Sequence, residues 1–319
     1  MASQIDYVLL SGTANPQLSF QVGKILKTKV YEPVTRFADG EVRIQIPVNI
    51  RRRSVIIIQP TCPPQVDQSI MELILMIDAA KRASASEIIA IIPYFGYARQ
   101  DRKDRPRVPI SSSVVARLIE HAGANRICTV DIHSDQEQGF VSTPWDNLYA
   151  SFCLVPKIKK LKLKNLVVAS PDKGGVPMAT AFAKRLKATG LAIVYKERDV
   201  HLNDSAASLD MIGDVKGKTV LMVDDLVSTA STLCNGADLI KLRGAKNILA
   251  AITHGIFSQD ALERIASSPI DKLFITNTVP QREEVLKSKK IEIVSVAPLI
   301  AEAIKRIETG ESISEKLIL

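Results

Sequence analysis

Aromatic side chains are scarce in this sequence, at 5% of 319 residues with a single tryptophan. So thin a supply argues against the stacking platforms that hold single-stranded nucleic acid, and no nucleic-acid partner is expected. The four cysteines, Cys62, Cys128, Cys153 and Cys234, show no metal-ligand spacing. That removes a cysteine zinc site and fits a reducing compartment. No apolar run reaches the roughly 18 residues that span a bilayer. The opening Met-Ala-Ser-Gln-Ile-Asp holds no basic segment followed by an apolar one, so a cytoplasmic location with no membrane partner is expected. Low-complexity tracts and solenoid-length repeats are absent as well.

What is present reads as globular α/β. Hydrophobic residues make up 46% and charged residues 24% of the chain, a balance that excludes disorder. The length suits two domains, each able to bury a core. Short β-branched runs over 7–10, 43–48, 54–58, 87–92 and 126–130 predict strands, with helices over 16–26, 66–83 and 109–121. The second half repeats the alternation, with strands over 165–169, 191–195, 219–223, 247–253, 272–276 and 291–296 and helices over 176–187, 233–243, 259–266 and 298–307. Strands without polar alternation imply sheets covered on both faces. The expected architecture is two similar parallel-sheet α/β domains, 1–147 and 148–297, joined near 145–156, with the tail 298–319 packing on the first. The net charge of +8 draws polyanions, whether nucleic acid or polyphosphate metabolites. The basic run 157–164 reads as a solvated face.

The chain is organised around Lys218-Thr-Val-Leu-Met-Val-Asp224-Asp225-Leu-Val-Ser228-Thr229-Ala230-Ser231-Thr232. A buried strand ends on two acids, passes through small hydroxylated residues and enters a helix. Open α/β sheets take ligands at strand carboxyl ends, where a helix N-terminus favours phosphate; the acids suit sugar hydroxyls or magnesium. Read locally, they also suit a helix cap and a turn.

Five further stretches carry candidate chemistry. Arg36-Phe37-Ala38-Asp39-Gly40-Glu41 reads as a hairpin turn, and equally as an aromatic face with acceptors for adenine. Arg99 to Arg107, with Gln100 and Asp104, places five cations after a buried strand, where Arg forks match phosphate oxygens. His133 and Asp172 follow strands, Asp172 beside Gly174 and Gly175. Lys196 and Arg198 open a long polar stretch to about Asp210 that reads as a lid, its cations able to neutralise a transferring phosphoryl group.

Taken together, Arg36-Phe-Ala-Asp-Gly-Glu41, Tyr94-Phe-Gly-Tyr-Ala-Arg-Gln-Asp-Arg-Lys-Asp104, Pro109-Ile-Ser111, Asp131-Ile-His133, Gln138-Gly-Phe140, Asp146-Asn-Leu-Tyr149, Ser170-Pro-Asp172, Val223-Asp-Asp225, Thr253-His254 and Ala301-Glu-Ala-Ile-Lys-Arg306 make the chain resemble the ribose-phosphate pyrophosphokinases. The resemblance implies domains of phosphoribosyltransferase-like type. It implies transfer of the β,γ-diphosphoryl group of Mg-ATP to the C1 hydroxyl of ribose 5-phosphate. It assigns Phe37, Asp39, Glu41, Arg99, Gln100 and Asp104 to ATP, and His133 and Asp172 to the metal-nucleotide. Lys196 and Arg198 become the catalytic cations, with Arg198 also binding ribose 5-phosphate. Asp224 and Asp225 take ribose hydroxyls, and Ser228, Thr229, Ala230, Ser231 and Thr232 wrap the 5-phosphate. It also implies a homo-oligomer built on dimers, a hexamer in many relatives, activated by phosphate and inhibited by ADP, with matching positions at Ser84, Arg107, Ser312 and Ser314.

Three positions depart from the family pattern. Ser228 stands where most relatives have Asp, Ser231 where they have Gly, and Ser113 where many have Lys. If position 231 needs positive φ or bare backbone, the Ser231 Cβ weakens sugar-phosphate binding, and Ser231→Gly restores it. Three rival readings are a non-catalytic regulatory relative, a phosphoribosyltransferase and a nucleic-acid-binding regulator. The retained Lys196, Arg198, His133, Asp172, Asp224 and Asp225 weigh against the first, and the added Arg36–Glu41 and Arg99–Asp104 sets against the second. The third has neither a helix-turn-helix nor a stacking surface to support it.

Overall fold

The computed structural model describes residues 7–197 and 208–317. They form two compact units, one comprising Met1–Ala150, Thr278–Pro280 and Ser295–Leu319, the other Ser151–Asn277 and Gln281–Val294.

The first unit contains β1 (Tyr7–Ser11), α1 (Pro16–Leu26), β2 (Val30–Tyr31), β3 (Val34–Arg36), β4 (Val42–Ile44), β5 (Ser54–Ile58), α2 (Val66–Arg82), β6 (Glu87–Ile92), α3 (Ser111–Ala122), β7 (Arg126–Val130) and β8 (Trp145–Leu148). Its six-stranded sheet runs in the order β2-β1-β5-β6-β7-β8 with every pairing parallel. Inner strands such as β5 and β6 bury nearly every side chain, because helices cover both faces and leave no solvent side to populate with polar residues. α1 starts where sequence rules place it: Asn15 accepts from the Leu18 N–H at 3.3 Å and Pro16 opens the first turn.

The expected strand over 43–48 is not part of this sheet. β4 stops at Ile44 and pairs antiparallel only with β3, making a separate two-stranded ribbon. Pro47 cannot donate to a ladder, and the segment beyond Ile44 is irregular. β8 is an unexpected edge strand of the first sheet, taking the first four residues of the stretch expected to join the domains, while the division between the units falls later in that stretch, after Ala150. Its Trp145 is buried, with its ring centroid 5.1 Å from that of Phe95 and its Nε1 donating to Thr129 Oγ1 at 3.0 Å.

The second unit contains α4 (Ser151–Lys159), β9 (Leu166–Ser170), α5 (Val176–Leu186), β10 (Gly190–Glu197), β11 (Ser208–Ile212), β12 (Thr219–Val227), α6 (Ser231–Leu242), β13 (Asn247–Gly255), α7 (Ala261–Ser267), β14 (Lys272–Thr276), α8 (Glu283–Lys287) and β15 (Ile291–Val294). Its seven strands run β11-β10-β9-β12-β13-β14-β15, parallel except for the β10–β11 edge pair. α4 absorbs the start of the basic run, where Lys157 pairs with Glu292. α9 (Ala297–Thr309) and α10 (Ser314–Leu317) return to the first unit, where α9 packs on α1 and Ser54 Oγ donates to Glu308 at 2.7 Å.

Candidate functional site

In the second unit the acids lie within β12 and not beyond it. The strand continues through Asp224 and Asp225 to Val227, its pairing with β13 passing from Asp224–Ile252 to Leu226–His254. Each carboxylate accepts from the next backbone N–H, Asp224 from Asp225 at 3.1 Å and Asp225 from Leu226 at 2.8 Å. Burial, then the charges of Asp225 and Asp172, holds the Asp224 carboxyl well above the ordinary carboxylate range. Asp172 approaches on the turn after β9, where it accepts from the Gly175 N–H at 3.0 Å. Gly175 is required for closeness: a Cβ there would lie 2.6 Å from Ser170 Oγ and 3.6 Å from Asp224 Oδ1.

After Val227 the chain turns through Ser228, Thr229 and Ala230 into α6. Ala230 adopts left-handed backbone, φ 61° and ψ 3°, immediately before the helix. Ser231 is instead the first helical residue and has no positive φ, so the conformational demand suspected at 231 falls one residue earlier. The Ser231 hydroxyl lies 3.2 Å from Thr229 Oγ1 and accepts from Arg264 Nη1 at 2.6 Å. Ser228 Oγ lies 2.8 Å from Ser258 Oγ. Thr232 is exposed on the first turn.

Lys196 lies on β10 with its backbone in register with Leu209 of β11. The two ends of the expected lid are therefore strands, paired to Glu197–Ser208. Arg198 lies outside the described residues.

In the first unit, Phe37, Asp39 and Glu41 occupy the β3–β4 turn. The Phe37 N–H donates to Glu41 O at 2.9 Å, the Gly40 N–H to Phe37 O at 3.0 Å, and the Glu41 N–H to Asp39 Oδ1 at 3.1 Å. Gly40 has φ 94°, which glycine tolerates without strain. Phe37 is half exposed, with the Arg43 guanidinium 5.6 Å from its ring centroid. The turn is anchored by Arg36, which the motif contained without a role of its own, and by Glu72, which sequence reasoning passed over. Arg36 Nη2 reaches Glu72 Oε1 at 2.5 Å, and the buried Glu72 also accepts from Thr13 and from Gln59 Nε2. A glutamate in an amphipathic helix pattern reads as surface, so no local signal marks it.

Arg99, Gln100 and Asp104 lie on the exposed loop after β6. Gln100 is tied to the start of α3, its Oε1 accepting from Ser111 Oγ at 2.5 Å. Asp104 faces Arg105 at 3.9 Å. His133 is exposed after β7. Just before it, Asp131 has φ 40° and accepts from the Ala150 N–H at 3.1 Å, and the Ile132 N–H donates to Asn147 at 3.0 Å. Glu137 is buried below, accepting from Ser112 Oγ and from the Ser134 N–H, and burial pushes its carboxyl up to about 7. Among the described residues, no group of three or more His, Cys, Asp or Glu side chains is arranged to enclose a metal ion, and no helix is long and apolar enough to cross a membrane. None of the four cysteines is in a disulfide; burial raises Cys62 to about 12 and moves Cys128 and Cys234 in the same direction.

Parallel sheets with acids, glycine turns and a helix start at strand carboxyl ends define an α/β protein suited to anionic ligands. Residues 7–123 match the N-terminal domain of ribose phosphate pyrophosphokinase, and residues 199–317 match the phosphoribosyl synthetase-associated domain. A ribose-phosphate pyrophosphokinase of Wolinella succinogenes is 44% identical over 313 residues, 98% of this chain and 99% of its own. One from Xanthomonas axonopodis pv. citri is 47% identical over 317 residues, 98% of each. The crystal structure of phosphoribosylpyrophosphate synthetase from Mycobacterium smegmatis superposes with a TM-score of 0.88 at 37% identity, covering 96% of this chain and 99% of that one. The chain belongs to the ribose-phosphate pyrophosphokinase family.

Proposed function

We propose that this protein is a ribose-phosphate diphosphokinase, transferring the β,γ-diphosphoryl group of ATP to the C1 hydroxyl of ribose 5-phosphate and releasing AMP and phosphoribosyl pyrophosphate for nucleotide biosynthesis. The observation that carries this reading is the end of β12 in a chain of this family: two adjacent carboxylates on the strand, a hydroxyl-bearing turn through left-handed Ala230, and the first residue of α6.

In this reading Phe37 stacks on adenine while Asp39 and Glu41 accept from its amino group, and Arg99, Gln100 and Asp104 hold the rest of the nucleotide. Asp224 and Asp225 accept from ribose hydroxyls, directly or through a metal. Residues 228–232 donate backbone and hydroxyl hydrogens to the 5-phosphate. Lys196 and Arg198 neutralise charge on the equatorial oxygens of the transferring group, so positioning and electrostatics carry the catalysis without a covalent nucleophile.

Magnesium fits the donor chemistry. Asp172, Asp224 and Asp225 are hard oxygen donors, Asp224 being raised by burial and then by the charges of the other two, and magnesium is commonly held by one or two carboxylates plus substrate phosphates. When bound, it neutralises phosphate charge. We assign His133 and Asp172 to the metal-nucleotide. The same reading places the protein in the cytoplasm as a dimer-based homo-oligomer, a hexamer, with phosphate activation and ADP inhibition.

Purified protein with ATP, magnesium and ribose 5-phosphate is expected to release AMP in a coupled assay. Turnover no higher than background would sink the proposal and favour a non-catalytic regulatory subunit. Lys196→Ala is expected to lower kcat by at least about a hundredfold with nucleotide binding nearly intact, as for a group acting in the transition state.

A further inference from the structure

One segment of the second unit grips the 228–232 turn at both ends. Past β13, the Ser258 N–H donates to Ser228 O at 3.0 Å and the two hydroxyls lie 2.8 Å apart. One turn into α7, Arg264 Nη1 donates to Ser231 Oγ at 2.6 Å while Nη2 lies 2.9 Å from Asp260. The Arg264 side chain is 42% exposed, so this guanidinium is tethered at a solvent-facing rim and not consumed in the core. A guanidinium carries more N–H donors than these two bonds use. Residues 226–232 themselves, Leu-Val-Ser-Thr-Ala-Ser-Thr, carry no charged side chain.

We infer that Arg264 is a further binding residue for the sugar phosphate, fixed beside the loop by the Ser231 hydroxyl. This rests on the reading of 228–232 as the sugar-phosphate site. A phosphate monoester is a strong partner for an arginine fork, and a fork already oriented by Ser231 loses less freedom on binding. Ser231 in place of glycine therefore supplies an anchor for a cation instead of an obstacle. Asp260 holds the same guanidinium and competes with the incoming anion.

Steady-state kinetics with ATP and ribose 5-phosphate on wild type, Arg264→Ala, Ser231→Gly and the double variant test the inference. In Arg264→Ala the KM for ribose 5-phosphate is expected to rise roughly tenfold, with the KM for ATP and kcat changed less than about twofold. Ser231→Gly, which leaves the Asp260–Arg264 pair in place, is expected to raise the same KM by a smaller factor, and the double variant to be no worse than Arg264→Ala alone. Asp260→Asn is expected to lower it, a response that a purely structural brace would not give. An unchanged ribose 5-phosphate KM in a folded Arg264→Ala protein overturns the inference, as does a lowered KM in Ser231→Gly. Ser231→Gly decides the matter if Arg264→Ala is unstable. Calorimetric titration with ribose 5-phosphate alone separates the two levels. Weaker binding by Arg264→Ala supports Arg264 even if wild type releases no AMP, whereas normal turnover with equal affinities defeats this inference and spares the activity.

Discussion

Ala230 holds a backbone conformation that glycine adopts freely and alanine resists, at φ 61° with its methyl group buried. Left-handed backbone costs a non-glycine residue about 1 kcal/mol, and the lost methyl contacts offset part of that in a glycine variant. Ala230→Gly is therefore expected to change stability by less than about 1 kcal/mol. Ala230→Val, which adds β-branching in a tight left-handed position, is expected to destabilise by about 2 kcal/mol or more; urea unfolding midpoints check both. Glu137 offers a pH test. Its folded-state value near 7 lies above the ordinary carboxyl value, so its contribution to stability is fully present below the unfolded value and is lost as pH rises through 7. Wild type is expected to lose stability relative to Glu137→Gln between about pH 5 and 8, by of order 3 kcal/mol in all. A constant difference across that range would refute the assignment. Neither feature was legible in the sequence. A lone Ala before a helix and a Glu in a polar stretch carry no sign of the φ angle or burial that tertiary packing imposes on them.

The β3–β4 hairpin has strands of only three residues, too short to stand without support. Val34 and Ile44 pack on the first core, and Arg36 adds polar ties, reaching Glu72 at 2.5 Å and donating from Nη1 to Gly40 O at 3.3 Å, which bind the turn to α2 and to itself. Arg36→Met is expected to leave the fold intact, because Arg36 is partly exposed, while raising the KM for ATP about tenfold and leaving the KM for ribose 5-phosphate within twofold. Equal effects on both substrates would show that the anchor serves the whole protein and not the turn. The Asp-Gly pair announced this turn, because positive φ at Gly40 is a local matter. The extent of β4 was misjudged since alternation over 43–48 mimics a strand that Pro47 does not permit. The inner strands of both sheets were legible for a simpler reason, since burial on both faces leaves an uninterrupted apolar run, whereas the edge strands β2, β8 and β11 carry no such run and went unread.

At +8 the molecule as a whole attracts anionic substrates, and salt screens such attraction between exposed charges. The kcat/KM for ribose 5-phosphate is expected to fall several-fold as ionic strength rises from about 0.05 to 0.5 M; a flat profile would confine the electrostatics to direct contacts. The order of units along the chain has a different consequence. The first unit is interrupted by the second and regains α9 only near the end, and α9 contributes the buried Leu299, Ile300, Ala303 and Ile304. Removing residues 295–319 is expected to unfold the first unit alone, and the single tryptophan, Trp145, lies in that unit and reports the loss as a red-shifted emission.

The same interruption sets a timetable during synthesis. Nascent chain emerging from the ribosome carries every strand of the first sheet long before it carries the helix that finishes the first core, because α9 follows the whole second unit. The interrupting segment has all its strands in one continuous stretch of translation apart from a short excursion at 278–280, so it is free to mature earlier. Early-made apolar surface then waits for a late-made cover, and that interval is when a holding chaperone has the most to protect.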